Sequence, residues 1–154
     1  MSLTSRLVSV TRTDHTEVEL NKLERRCDSL VRRGKLKLLK PFQPLFNYNG
    51  IKSIFRREDI WYAFYTLHDW FCSRLSHKYD LSKRVYYEVT KELMEDLLAD
   101  IREAIEYQEG DMMIEEDDAD DDFWDLMESA ESSIELIIEE LDWETERLFY
   151  YYET

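Results

Sequence analysis

The 154-residue chain predicts a mainly α fold, a single-domain helical bundle of about four helices that leaves room for a short two-stranded β element near the N-terminus. Three observations lead there. Apolar residues recur at steps of three and four through several long stretches, which is the repeat of one helix face. With only three glycines and two prolines, the chain has few places to turn, and that scarcity favours long helices over a many-stranded sheet. Hydrophobic residues make up 44% of the chain and aromatic ones 14%, which is core-forming material that a disordered acidic tail lacks. At this length, residues 1–154 form one domain able to bury roughly two thirds of its unfolded surface.

Taken in order, residues 6–12 (RLVSVTR) mix β-branched side chains with partial alternation, a weak strand signal. Asp14 and Glu17 have capping-box spacing, and Leu20, Leu23, Cys27 and Leu30 then trace a helical row that stops at Gly34. In residues 35–39 lysines alternate with Leu36 and Leu38, so this segment either pairs as a second strand or runs extended, packing Phe42, Leu45, Phe46 and Tyr48 over the helices. Pro41, Pro44 and the Asn49-Gly50 turn exclude a helix there.

From about residue 57 to 79 a second helix places Ile60, Phe64, Leu67, Phe71 and Leu75 on one row, with Trp61, Tyr65, His68 and Cys72 beside it. So wide an apolar surface suits a central helix. A third helix, residues 82–108, carries Tyr86, Val89, Leu93, Leu97, Ile101, Ala104 and Ile105 inward and Glu88, Glu92, Glu95, Glu103 and Glu106 outward. A fourth follows, with Phe123, Met127, Ala130, Ile134, Ile137, Leu141, Leu148 and Tyr152 on its apolar row. The connection at 109–119 is long enough to let the last two helices lie antiparallel.

Charge divides the chain more sharply than the net value of −15 suggests. The basic half, residues 1–84, holds 17 Lys and Arg against 9 Asp and Glu, or +8; the acidic half, 85–154, holds 3 against 26, or −23. Even complete internal pairing leaves fifteen acids over. Residues 115–146 contain no Lys or Arg, and within them Asp121, Asp125, Glu128, Glu135, Glu139, Asp142 and Glu146 recur at helical steps beside the apolar row. From Asp120 to Glu146 there are twelve acids in 27 residues, about one per 3.4 Å of helix axis. One strand of B-DNA carries a phosphate per roughly 3.4 Å.

Candidate chemistry is sparse. An EF-hand loop beginning at Asp118 would place Asp120 and Asp122 correctly, but Phe123 stands where Gly is needed and Ser129 where the bidentate Glu is needed. His68 and Cys72, four apart, share a helix face, yet zinc needs two further ligands and a nucleophilic thiol needs an acid behind the imidazole. Core packing is the expected role of that pair. No phosphate loop, GxSxG or HExxH occurs. The expectation is therefore no enzyme, no catalytic residues, no metal and no cofactor.

Two widely spaced cysteines and the absence of any continuous apolar run near ~20 residues point to a soluble cytoplasmic protein that does not enter a membrane. Lys35, Lys37, Lys40, Lys52, Arg56 and Arg57 interleave with Phe42, Tyr48 and Phe55, a composition found on nucleic-acid-binding surfaces, but the net charge opposes direct binding to a polyanion. The expected partner is a basic, nucleic-acid-binding protein, met by the seven-acid row with Trp124 and Trp143 as apolar anchors. In size and charge the chain resembles the small DNA-mimic inhibitors carried by phages, anti-restriction and anti-CRISPR proteins among them. That resemblance of composition implies an inhibitor that blocks a nucleic-acid groove. A small acidic chaperone, antitoxin or assembly subunit is the alternative. The C-terminal LFYYYET packs against the aromatic second helix or joins two copies as a homodimer.

Overall fold

The computed structural model describes residues 2–11, 25, 29, 32–34, 57–81, 86–107 and 121–154. In these, β1 (Thr4–Thr11), β2 (Arg57–Tyr62), α1 (Tyr65–Leu75), β3 (Tyr87–Val89), α2 (Lys91–Tyr107), α3 (Asp121–Glu140) and β4 (Glu146–Glu153) follow one another along the chain. The strands form one antiparallel sheet in the order β2-β1-β4-β3. The fold is α+β, and the expectation of a mainly α four-helix bundle is overturned.

The chemistry that hid the sheet is visible in its central strand. β4 pairs with β1 from Glu146 opposite Thr11 to Glu153 opposite Thr4, and with β3 through Tyr87 opposite Tyr150. Leu148, Phe149 and Tyr150 are all buried, because both faces of the strand are covered. A strand in that position reads as a continuous apolar run rather than an alternation, and periodicity cannot separate it from a helical segment. Arg57–Tyr62 and Tyr87–Val89 resemble helix in sequence for a related cause. Their apolar members stand three or four from those of the helices that follow, so strand and helix merged into one row. Aromatic and β-branched enrichment in IWY, YEV and LFYYY is the signal that separates them.

Two of the helix boundaries have local explanations. Thr90 caps α2: its Oγ1 accepts the Leu93 amide at 3.1 Å, satisfying one of the four donors a helix start leaves open. At the far end of α3, Trp143 donates its indole N–H to the Ile138 carbonyl at 3.2 Å, and Asp142 Oδ1 accepts the Glu144 amide at 3.1 Å. The chain thus leaves the helix at Glu140 and turns into β4. Arg25, Ser29 and Arg32 are helical and Gly34 has φ +68°, as the stop there requires. The Asp14–Glu17 capping box, Cys27, the segment 35–39 and Asp117 to Asp120 lie outside the described residues.

The three helices share one core cluster with one face of the sheet. Leu7 of β1, Tyr87 and Val89 of β3, and Leu148 and Tyr150 of β4 join Leu67, Phe71, Leu97, Ile101, Met127, Ile134 and Ile137 there. Register explains the small residues: Ser5 and Ser9 lie on the same face as Leu7, opposite Tyr152 and Leu148, and leave room for bulkier neighbours. Tyr150 stacks on Phe71 at 4.1 Å between ring centres. Val8, Val10 and Phe149 point to the opposite face of the sheet and are buried as well. No described helix is long and apolar enough to cross a membrane.

Candidate functional site

The acidic surface is built by the helices' own amphipathic pattern. On α3, Phe123, Met127, Ala130, Ile134 and Ile137 are buried. At roughly 100° per residue, Asp121, Asp125, Glu128 and Glu139 then fall in a sector about 60° wide on the far side of the helix. All four are exposed. On α2, Met94, Leu97, Ile101 and Ala104 face inward, and Glu92, Glu95, Asp96, Glu103 and Glu106 are exposed on the opposite side. The two helices pack against each other and insert into the same core, so the sides turned away from it join into one outer surface. With Asp122 and Glu140, eleven exposed acids stand on these helices against two exposed cations, Lys91 and Arg102.

The expected seven-acid row is only partly one row. Glu135 stays beside Glu128 on the helix surface but is ion-paired, since the Arg102 guanidinium reaches Glu131 at 3.2 Å and Glu135 at 3.1 Å. Asp142 and Glu146 lie beyond the helix, where the Asp142 amide donates to Glu146 Oε2 at 3.1 Å. Asp121, Asp125, Glu128 and Glu139 make no ion pair with a described residue. Trp124 and Trp143, expected as anchors, are half-buried and packed against the core. Leu136 is instead the one large apolar side chain of α3 that is exposed, at 44%. The C-terminal aromatics are largely committed to the sheet, with Phe149 and Tyr150 buried and Tyr151 and Tyr152 half-buried.

Arg102 could have been found from sequence, since no other Lys or Arg lies between Lys91 and Arg147. Glu88, expected among the exposed acids of a third helix, lies in β3 and forms a forked pair with Arg147 at 3.2 and 2.7 Å. Contacts between the basic and acidic halves are few among the described residues: Arg57 with Glu140 at 2.9 Å, Arg74 with Asp100 at 3.3 Å, and Arg6 with Glu153 at 3.8 Å. The Arg57 guanidinium, also held by Asp59 at 2.8 Å, is raised above its ordinary pKa by the two carboxylates although burial opposes this.

His68 and Cys72 do meet, with Sγ 3.4 Å from Nε2. Their surroundings oppose thiolate chemistry. Burial holds the imidazole below its ordinary range and pushes the thiol up, so both favour their neutral forms. Behind the ring stands the Tyr150 hydroxyl, 2.6 Å from Nδ1, which also donates to Ser5 Oγ at 3.2 Å. Desolvation raises that phenol well above its ordinary value. The string Cys72, His68, Tyr150, Ser5 ties α1 to β4 and β1.

Among the described residues no group of three or more His, Cys, Asp or Glu side chains is placed to hold a metal ion. Two recesses of about 270 and 240 Å³ border β1 and β2 in one case and α1 and α3 in the other. Both are smaller than the roughly 300–1,000 Å³ of a small-molecule site. Comparison of the chain with protein-family models, curated proteins and solved structures returned no match.

Proposed function

We propose that this chain is an acidic, protein-binding inhibitor that works in the cytoplasm as a nucleic-acid mimic, its α2–α3 carboxylate surface occupying the basic groove with which a partner protein holds DNA or RNA. The observation that carries the proposal is the set of eleven exposed acids on two adjoining helices, opposite their buried stripes and opposed by only two exposed cations. Such a surface repels nucleic acid itself and steers toward a positive groove over a screening length of about 8 Å at physiological salt. Packing of the two helices into the core fixes the backbone positions from which these carboxylates project, which lowers the ordering cost of association.

A second reading, a chaperone or assembly subunit that shields a basic partner without imitating nucleic acid, is favoured by one feature. Some of these carboxylates are paired within the protein, Glu135 with Arg102 at 3.1 Å and Glu140 with Arg57 at 2.9 Å, where a phosphate backbone would be free along its length. The two are separated by affinity purification across a salt series, with duplex DNA added as competitor. A mimic's partner is a nucleic-acid-binding protein that salt releases and DNA displaces. Capture of a partner that DNA leaves in place would overturn mimicry, and capture unchanged by converting Asp125, Glu128 and Glu139 to Lys would overturn the acidic-surface mechanism altogether.

A further inference from the structure

Ser9 of β1 is 0% exposed, and among the described residues its hydroxyl has no hydrogen-bond partner. A buried hydroxyl left in that state costs stability, and a fold keeps one more readily where something else meets it. Strand alternation puts the Ser9 side chain on the helix side of the sheet, opposite Arg57 in β2 and Leu148 in β4. There Ser9 lines the recess of about 270 Å³, whose other walls among the described residues are Arg57, Glu140, Leu141 and Glu146. The sign of its charge follows from the pairing. Arg57 is already met by Asp59 at 2.8 Å and Glu140 at 2.9 Å, so Glu146 adds a further negative charge that Arg57 does not answer. Glu140 also ends α3, a 20-residue helix with no basic side chain in its last turn, and the C-terminal end of a helix dipole favours a cation.

We infer that this recess between β1, β2 and the end of α3 is a binding site for a primary ammonium group on a short aliphatic chain. An ammonium brings three N–H donors and no acceptor, and the recess offers acceptors in the Ser9 hydroxyl and the Glu140 and Glu146 carboxylates, with Leu141 as an apolar wall for the chain. A metal ion fits less well, because no group of three or more His, Cys, Asp or Glu is placed to hold one among the described residues. At about 270 Å³ the recess suits a ligand the size of one side chain, below the range of drug-sized molecules. The site shares Glu140 with the acidic α2–α3 surface but does not rest on the function proposed for that surface.

Titration of the isotope-labelled full chain with butylammonium, followed by the NMR shifts of its backbone amides, tests this. Butyltrimethylammonium, with the same charge and no N–H donor, is the control. Butylammonium is expected to move the Ser9, Arg57, Leu141 and Glu146 signals saturably, and the control to leave them in place. Ser9→Ala weakens butylammonium about tenfold, the scale of one hydrogen bond to a charged group. In the free protein the same substitution leaves the urea midpoint unchanged or raises it, since an apolar group replaces an unpartnered polar one. Glu146→Gln, which keeps an acceptor for the Asp142 amide, also weakens binding. Nα-acetyl-lysine N-methylamide, used in place of butylammonium, tells a lysine side chain from a free amine as the natural occupant. Equal shifts from butylammonium and the control, or an affinity that Ser9→Ala leaves unchanged, overturns the site. So does a Ser9→Ala variant that unfolds at lower urea, because its hydroxyl would then be satisfied within the fold.

Discussion

Removing the Tyr150 side chain separates the α+β fold from a helical bundle. In a helix, positions 148 and 150 point about 200° apart, so a bundle that buries Leu148 and Tyr152 exposes Tyr150. In β4 the three share a face, and Tyr150 is 1% exposed, stacked 4.1 Å from Phe71 and opposite Leu7 in the sheet. Tyr150→Ala loses a buried aromatic ring and leaves a cavity, at a cost of about 3–5 kcal/mol. Tyr150→Phe keeps the ring and removes only the hydroxyl that faces His68 and Ser5, at about 1–3 kcal/mol. Tyr62→Ala, at a position 71% exposed, changes stability by about 0.5 kcal/mol or less. Urea unfolding followed by tryptophan fluorescence ranks the three from midpoint and slope. Against a typical total of roughly 5–15 kcal/mol, the alanine variant unfolds at far lower urea. If Tyr150→Ala grouped with Tyr62→Ala, the placement of β4 in the middle of the sheet would be wrong.

The other predictions concern groups described above. Asp100, buried at the α1–α2 contact, accepts the Trp70 indole N–H at 2.8 Å and faces Arg74 at 3.3 Å; Asp100→Ala strands that indole and costs about 1–3 kcal/mol, and recovery of part of the loss by Asp100→Asn in the same urea assay is the check. Burial holds His68 below its ordinary pKa, so the unfolded chain takes up the proton first: stability is full above about pH 6.5 and declines as pH falls toward the folded value. His68→Gln flattens this part of the profile, and an unchanged slope just below that pH in the variant would count against the assignment. Burial and, secondarily, Asp69 push the Cys72 thiol up. In a Cys27→Ser background, Cys72 therefore reacts with iodoacetamide more slowly at neutral pH than it does in urea; equal rates would refute the environment described for it.

How far sequence goes is clearest where a residue has one covered side. The inward rows of α2 and α3 were largely legible, because Leu97, Ile101, Ala104, Phe123, Met127, Ala130, Ile134 and Ile137 obey a helical repeat against solvent on the other side, while Leu93 and Ile105 of the expected row are half-buried and Met94 and Asp100, outside it, are buried. The outward acids followed from the same repeat as far as Glu139. What escaped was set by tertiary partners. β4 lost its alternation because it is covered on both faces, and β3 is only three residues long, Tyr87–Val89, too short for a period to register. Glu135 keeps its place in the row but is paired with Arg102, 33 positions earlier in the chain. Trp124 on α3 and Trp143 beyond its end, the expected apolar anchors, are half-buried against the core, and the less conspicuous Leu136 is exposed.

The pairing of β1 with β4 shapes how the chain folds as well as what it becomes. Thr4 lies opposite Glu153 and Thr11 opposite Glu146, so the most extensive ladder of the sheet joins residues 135 to 149 positions apart. Ladders that distant are entered late, since each doubling of the closed loop adds about 0.6 kcal/mol before any contact repays it, and chains dominated by them fold in milliseconds to seconds rather than microseconds. Until β4 arrives, β1 has β2 on one side and an open edge on the other, a template for another chain in the same state. Refolding yield is therefore expected to drop as protein concentration rises. A circular permutant that links β4 to β1 through a short turn turns this most distant pairing into a hairpin, closes the open edge early, and folds faster to the same sheet.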